Sequence, residues 1–256
     1  MGNIMLVKSI QISRPTNGAP FNIGRHFSAT SFKQHHFGGL MEPLLMVDEF
    51  RMRAPTFGPH PHAGFSAITY LFEDSKNHFL NHDSLGNDRV ISPGSLHWLA
   101  AGSGVVHDEW PGTGADPEAH GLQFFVNLPA GKRHMKPYAV HLESENVPVH
   151  LDSGIRVRIV AGELAGKKSP VQLPQEFSIF DGFMEQGSSI DLPSVPDGAI
   201  WLYAMDGNLQ VSAAGQPIVL RKGFAISIEA AGGVNTISLT ATEQSHFVMM
   251  SGAPEE

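Results

Sequence analysis

Turn signals break this chain into pieces too short for helices. Leu85-Gly86-Asn87, Ser92-Pro93-Gly94, Asp206-Gly207-Asn208 and Lys222-Gly223 separate stretches in which apolar and polar residues alternate. The alternation predicts strands over residues 44–49, 66–73, 89–92, 96–100, 105–110, 121–128, 156–161, 176–180, 199–205, 209–212, 217–220, 225–228, 236–239 and 246–250. Residues 6–12 begin to alternate in the same way. Helical spacing is weak throughout, apart from one turn expected within residues 129–137. So many short strands in 256 residues predict an all-β fold of sandwiches or barrels.

The chain also resembles itself. "VISPGSLHWLAAGSG" from Val90 and "VLRKGFAISIEAAGG" from Val219 share an apolar pair, a turn ending in Gly, an apolar strand and Ala-Ala-Gly. Gly94 and Gly223 stand 129 positions apart, about half the chain. Unrelated hairpins share this much, so that reading stays open beside a true repeat. A repeat means two similar β-domains in tandem, residues 1–135 and 136–256, with the boundary inside 132–148.

Bulk properties exclude several function classes. Hydrophobic residues make up 41% and charged residues 16%, which argues against disorder. The formal charge of −8 gives no attraction for phosphate backbones or anionic lipid, so no direct nucleic-acid or membrane partner is expected. The absence of cysteine removes disulfides, zinc thiolates and thiol nucleophiles. The first residues lack the basic leader and apolar run of a signal peptide, and no apolar run reaches the ~20 residues of a membrane helix. A soluble, cytoplasmic protein is the expectation.

Two pairs of residues carry chemistry. On an extended strand, residues two apart point to one face, so His60 and His62 in "FGPHPHAGF" address one point. In "SGVVHDEWP", His107 and Glu109 repeat the spacing, with Asp108 turned away. On neighbouring strands the pairs supply three imidazoles and a carboxylate. That set suits Fe(II), Mn, Ni, Co, Cu or Zn rather than magnesium or calcium, and leaves about two positions open on an octahedral ion. Either pair alone is weak evidence in a chain with 14 histidines. His26, His35, His36, His78, His82, His97, His120, His134, His141, His150 and His246 have no ligand spacing. His82 and His120 are candidates for groups flanking the site, against surface or structural roles.

The run "MEPLLMVDEF", "FGPHPHAGFSAITYLFE", "DSLGN", "PGSLHWLAAGSGVVHDEWP" and "HGLQFFVNLP" resembles the pirin family of the cupin superfamily. The resemblance covers roughly residues 41–128 and continues loosely in "SHFVMMSGAP". It implies a bicupin, two tandem jelly-roll barrels. It implies a metal, usually iron, in the first barrel, held at the positions of His60, His62, His107 and Glu109. It implies no metal site in the second barrel, where Ser189, Asp191, Thr236 and Ser238 lie 129 positions on. Ala63 departs from the Arg that pirins commonly carry after the histidine pair, and the chain stops at Glu256, where many pirins continue. The activity implied is that of a quercetin 2,3-dioxygenase, which opens a flavonol ring with dioxygen and releases carbon monoxide. Glu109 would then be the catalytic base for the flavonol 3-hydroxyl, with Phe57, Phe65, Leu99 and Phe124 lining the cavity or simply filling the core. Two alternatives remain: an oxygenase for another phenolic, and a non-enzymatic iron-binding regulator of a transcription factor or metabolic enzyme.

Overall fold

Every stretch predicted as a strand from residue 44 onward is one in the computed structural model, which describes residues 10–196, 198–229 and 236–253. The alternation at 6–12 lies mostly outside the described residues, as do Ala230-Ala231-Gly232 of the repeat, and its described end, Gln11–Ile12, is a strand. The turn expected within 129–137 is the 3-10 turn Ala130–Lys132. Among the described residues no helix is long and apolar enough to cross a membrane.

The strands form two units of the same design. In the first, a seven-stranded sheet runs Tyr138–Leu142, Leu96–Ala100, Phe65–Leu71, Ala119–Asn127, Leu44–Met52, Phe27–Lys33, Ala19–Ile23. It faces a four-stranded sheet of His60–His62, Val105–Pro111, Phe79–Asp83 and Asp88–Ile91. In the second, seven strands run Gln11–Ile12, Ala225–Glu229, Ala199–Asp206, Ser245–Gly252, Phe177–Met184, Ile155–Ala161, Val149–Asp152. The accompanying four are Ser189–Pro193, Thr236–Ala241, Leu209–Ala213 and Gln216–Leu220. Leu96–Ala100 and Ala225–Glu229, the two copies of the repeat, hold the same place, second from the sheet edge. This is the bicupin architecture.

Sheet membership does not follow the expected division at 135/136. Gln11–Ile12 pairs with Ala225–Glu229 in the second unit, and Tyr138–Leu142 pairs with Leu96–Ala100 in the first. Each covers an edge whose backbone groups would otherwise lack partners.

Between the units the first large sheet offers an apolar row, Phe32–Val47–Phe124–Ile68–Trp98, aligned by strand register. Phe32 lies 5.4 Å from Trp201 and 5.0 Å from Tyr203, and Trp98 lies 5.5 Å from Phe177. Two reciprocal polar contacts flank this row. Tyr70 donates to Asp181 at 2.6 Å, and Tyr203 donates to Glu49 at 2.6 Å. His246 also bonds Asp181, at 2.6 Å, and His120 bonds Glu49, at 3.3 Å. Register makes the two sets equivalent: Tyr70–Leu122–Glu49 in one sheet matches Tyr203–Val248–Asp181 in the other. Each carboxylate thus takes a tyrosine from the opposite unit and a histidine from its own.

The interiors differ. One continuous apolar cluster fills the second unit. In the first, a cluster around Phe27, Phe50 and Phe79 is separate from a small one of Leu99, Ala101 and Val105. Between them a polar row crosses the large sheet: Ser31, Asp48, Gln123, Thr69, His97 and His141 stand opposite one another strand by strand. That row faces the four-stranded sheet carrying His60, His62 and His107.

Candidate metal centre and adjoining cavity

The residue before a proline is pushed toward extended backbone, so Pro61 helps hold His60 in a strand conformation. His60–His62 is accordingly a short strand, followed by Gly64 at φ +81°, a left-handed position that favours glycine. The strand pairs antiparallel with Val105–Pro111, with His107 opposite His60. Burial alternates along Val105–Pro111, so His107 and Glu109 turn inward and Val106 outward.

The three imidazoles form a nearly equilateral cluster. Ring centroids are 4.8 Å apart for His60–His62, 4.7 Å for His60–His107 and 4.8 Å for His62–His107. One nitrogen from each lies within 4.8 Å of the others. Nε2 of His62 and Nε2 of His107 are 3.0 Å apart. Cis ligands about 2.1 Å from an octahedral ion lie about 3.0 Å from each other, so the spacing fits a shared transition metal.

Backbone and side-chain partners select which nitrogen points inward. His60 Nδ1 donates to the Gly58 carbonyl at 2.9 Å, and His107 Nδ1 donates to Asn81 Oδ1 at 3.1 Å. Both rings then present an Nε2 lone pair. Burial, with the positive charge His60 would carry, pushes His62 down to about 4. Burial, with the neighbouring imidazoles, pushes His107 down to about 3. Both rings are therefore neutral near pH 7 and able to bind a metal.

Glu109 stands outside the histidine cluster. Its Oε1 accepts a hydrogen bond from Thr69 at 2.6 Å, and its Oε2 is 4.0 Å from His107 Nδ1. Burial pushes its carboxyl up to about 7, against the Thr69 hydrogen bond and with help from Asp108. Thr69 Oγ1 also lies 2.8 Å from Gln123 Oε1. One hydroxyl hydrogen cannot serve both acceptors. Either Glu109 is protonated and donates to Thr69, or the Gln123 amide turns its NH₂ toward Thr69.

Beside the histidines lies a cavity of about 210 Å³. Phe27, Phe50, Phe57, Phe79 and Phe125 give it aromatic walls, and His60, Glu109, Asp48 and Gln123 are among its polar groups. Of the four apolar residues left open between lining and core, Phe57 lines the cavity. Phe65 instead packs on His62 at 5.2 Å, Phe124 faces the second unit, and Leu99 is buried in its own small cluster. His82 is exposed and pairs with Asp88, and His120 belongs to the contact between units. In the second unit, Ser189, Asp191, Thr236 and Ser238 point outward, and Ser238 bonds Asp191 at 2.6 Å. Sequence reasoning did not single out Asn81, Thr69, Gln123 or Asp48. The inward positions of Phe79–Asp83 are Phe79, Asn81 and Asp83, so its pattern does not read as a half-buried strand.

Comparison with known proteins agrees with this architecture. A family model described as Pirin matches residues 7–126. Pirin of Rattus norvegicus is 30% identical over 220 residues, which are 84% of this chain and 72% of that protein. The structure of quercetin 2,3-dioxygenase from Acinetobacter baumannii aligns with a TM-score of 0.79 at 23% identity, covering 95% of this chain and 86% of that one. Bacterial pirin YhhW in complex with nickel(II) from Escherichia coli aligns with a TM-score of 0.70 at 15% identity, covering 96% of this chain and all of that one.

Proposed function

The chain belongs to the pirin family, and from that premise we propose that it is a metal-dependent dioxygenase acting on a flavonol, in the manner of a quercetin 2,3-dioxygenase. The observation that carries the proposal is the histidine cluster at an aromatic-walled cavity that also holds a buried carboxylate. His60, His62 and His107, joined by Glu109 after a side-chain rotation, would hold one divalent transition metal, with Fe(II) the first choice. Bound there, the metal would supply Lewis acidity and a redox centre where dioxygen and the deprotonated flavonol meet. When Glu109 is off the metal and hydrogen-bonded to Thr69, its other carboxylate oxygen takes the proton of the flavonol 3-hydroxyl. Burial raises the basicity of this carboxylate when it is off the metal. The phenylalanines stack the flat rings, fix their orientation and exclude water. The cysteine-free sequence suits work in the reducing cytoplasm.

The test begins with metal analysis of protein purified without added metal. Anaerobic loading with Fe(II) and exposure to quercetin and air should then consume the flavonol and release carbon monoxide. Glu109→Ala should lower turnover by about 10²-fold or more. Full turnover in Glu109→Ala removes that residue from the mechanism. Stoichiometric metal with no turnover of any flavonol favours the regulator, and a partner protein captured in only one iron oxidation state supports it.

A further inference from the structure

Asp48 is a second carboxylate on the cavity wall, and it has no part in the histidine cluster. It lies on Leu44–Met52 of the seven-stranded sheet, whereas the histidines lie on the facing four-stranded sheet. Asp48 therefore reaches the cavity from the wall opposite the histidines. Its neighbours on either side in the polar row are Ser31 and Gln123. Ser31 hydrogen-bonds the carboxyl group, and the Gln123 amide is engaged with Thr69. Asp48 is only 5% exposed, yet its Oδ1 has no hydrogen-bond partner. A buried carboxylate oxygen without a donor is costly, and it is rare in a folded protein unless a ligand or water supplies the missing bond. The aromatic walls, Phe27, Phe50, Phe57, Phe79 and Phe125, provide no donor.

We propose that Asp48 determines specificity: its carboxylate accepts a hydrogen bond from a phenolic hydroxyl at the end of an aromatic ligand opposite the end held at the histidines. The cavity therefore selects polyphenols hydroxylated at both ends over those hydroxylated only at the metal-facing end. This rests on the reading that the cavity takes an aromatic substrate. Burial also raises the Asp48 pKa, against Ser31 and Lys33, as an acceptor short of donors requires.

Binding separates this inference from turnover. Wild-type protein loaded with redox-inert Zn(II) is titrated anaerobically with quercetin and with 3-hydroxyflavone, the same skeleton carrying only the metal-facing hydroxyl. Wild type should bind quercetin about tenfold more tightly than 3-hydroxyflavone. In Asp48→Leu the ratio should fall to near one, and in Asp48→Asn, which keeps the side-chain volume, it should fall between the two. If Asp48→Leu fails to fold, Asp48→Asn decides, and an unchanged ratio there overturns the proposal. Equal binding of both flavonols by wild type, or a ratio that survives Asp48→Leu, overturns the role of Asp48 and leaves the aromatic-substrate reading intact. Failure of both flavonols to bind overturns the two together.

Discussion

His107 can present only one nitrogen to the histidine cluster, and Asn81 decides which. The amide oxygen of Asn81 accepts from Nδ1 at 3.1 Å, which leaves the lone pair on Nε2 facing His62. Without that acceptor the ring is free to change tautomer or turn. Asn81→Ala should weaken metal binding about 10–100-fold, measured by competition with a chelator, while circular dichroism is unchanged. An unaltered affinity would mean that packing alone orients His107. That His60 and His62 share a face, as do His107 and Glu109, was legible because strand periodicity converts a two-residue spacing into a shared face; that Glu109 stands apart from the three histidines was not. Asn81 was not legible, because an amide has no ligand signature and its contact spans 26 residues. The same is true of Thr69 and Gln123, whose roles exist only once their strands are placed opposite Glu109.

At the scale of elements, alternation of apolar and polar residues located most strands but not their sheets. Two of the strands missed have polar inward positions: Phe79–Asp83 turns Asn81 and Asp83 inward, and Phe27–Lys33 turns Ser31 toward the cavity side. The repeat motif marked equivalent strands correctly, yet gave no sign that the edge strands trade places. Residues 11–16 run along Ala225–Glu229 through Ser13 N to Ser227 O at 2.9 Å and Thr16 N to Ala225 O at 2.9 Å. Ile12 adds a side chain to the second unit's core. Removing residues 1–16 should therefore speed amide hydrogen exchange in Ala225–Glu229. Leu96–Ala100 should keep its protection, because Tyr138–Leu142 still covers it. Equal loss of protection in both units would show that they unfold as one cooperative body.

Across the whole molecule, the two units are joined by an apolar face and by the reciprocal tyrosine–carboxylate contacts, which span 111 and 154 residues of sequence. Such separations leave no trace in local patterning. The first-unit half of this contact responds to pH in a direction that can be worked out. His120 faces Glu49 at 3.3 Å, Asp74 at 3.0 Å and Arg51 at 3.4 Å, and its ring lies 4.8 Å from that of Phe72, which in turn lies 5.6 Å from His246. Burial alone would lower its pKa, but hydrogen bonds to Asp74 and Glu49 outweigh burial and raise it. Burial likewise works to raise Glu49, and hydrogen bonds from His120 and Tyr203 outweigh it and hold the carboxyl below its usual range. The His120 hydrogen bond lowers Asp74 directly. A proton held more tightly in the folded state stabilises fully below the unfolded histidine value of about 6.5, and that contribution is lost as pH rises through the raised folded value. The carboxylates contribute above their unfolded values near 4, and this is lost as pH falls through their depressed folded values. The full contribution therefore lies between about pH 4.5 and 6.5. Thermal unfolding of wild type and His120→Gln across pH should show the largest difference in Tm inside that window and a shrinking difference above it. A difference that stays constant through the alkaline limb would mean that His120 is already neutral there, and that its hydrogen bonds, not its charge, help hold the units together.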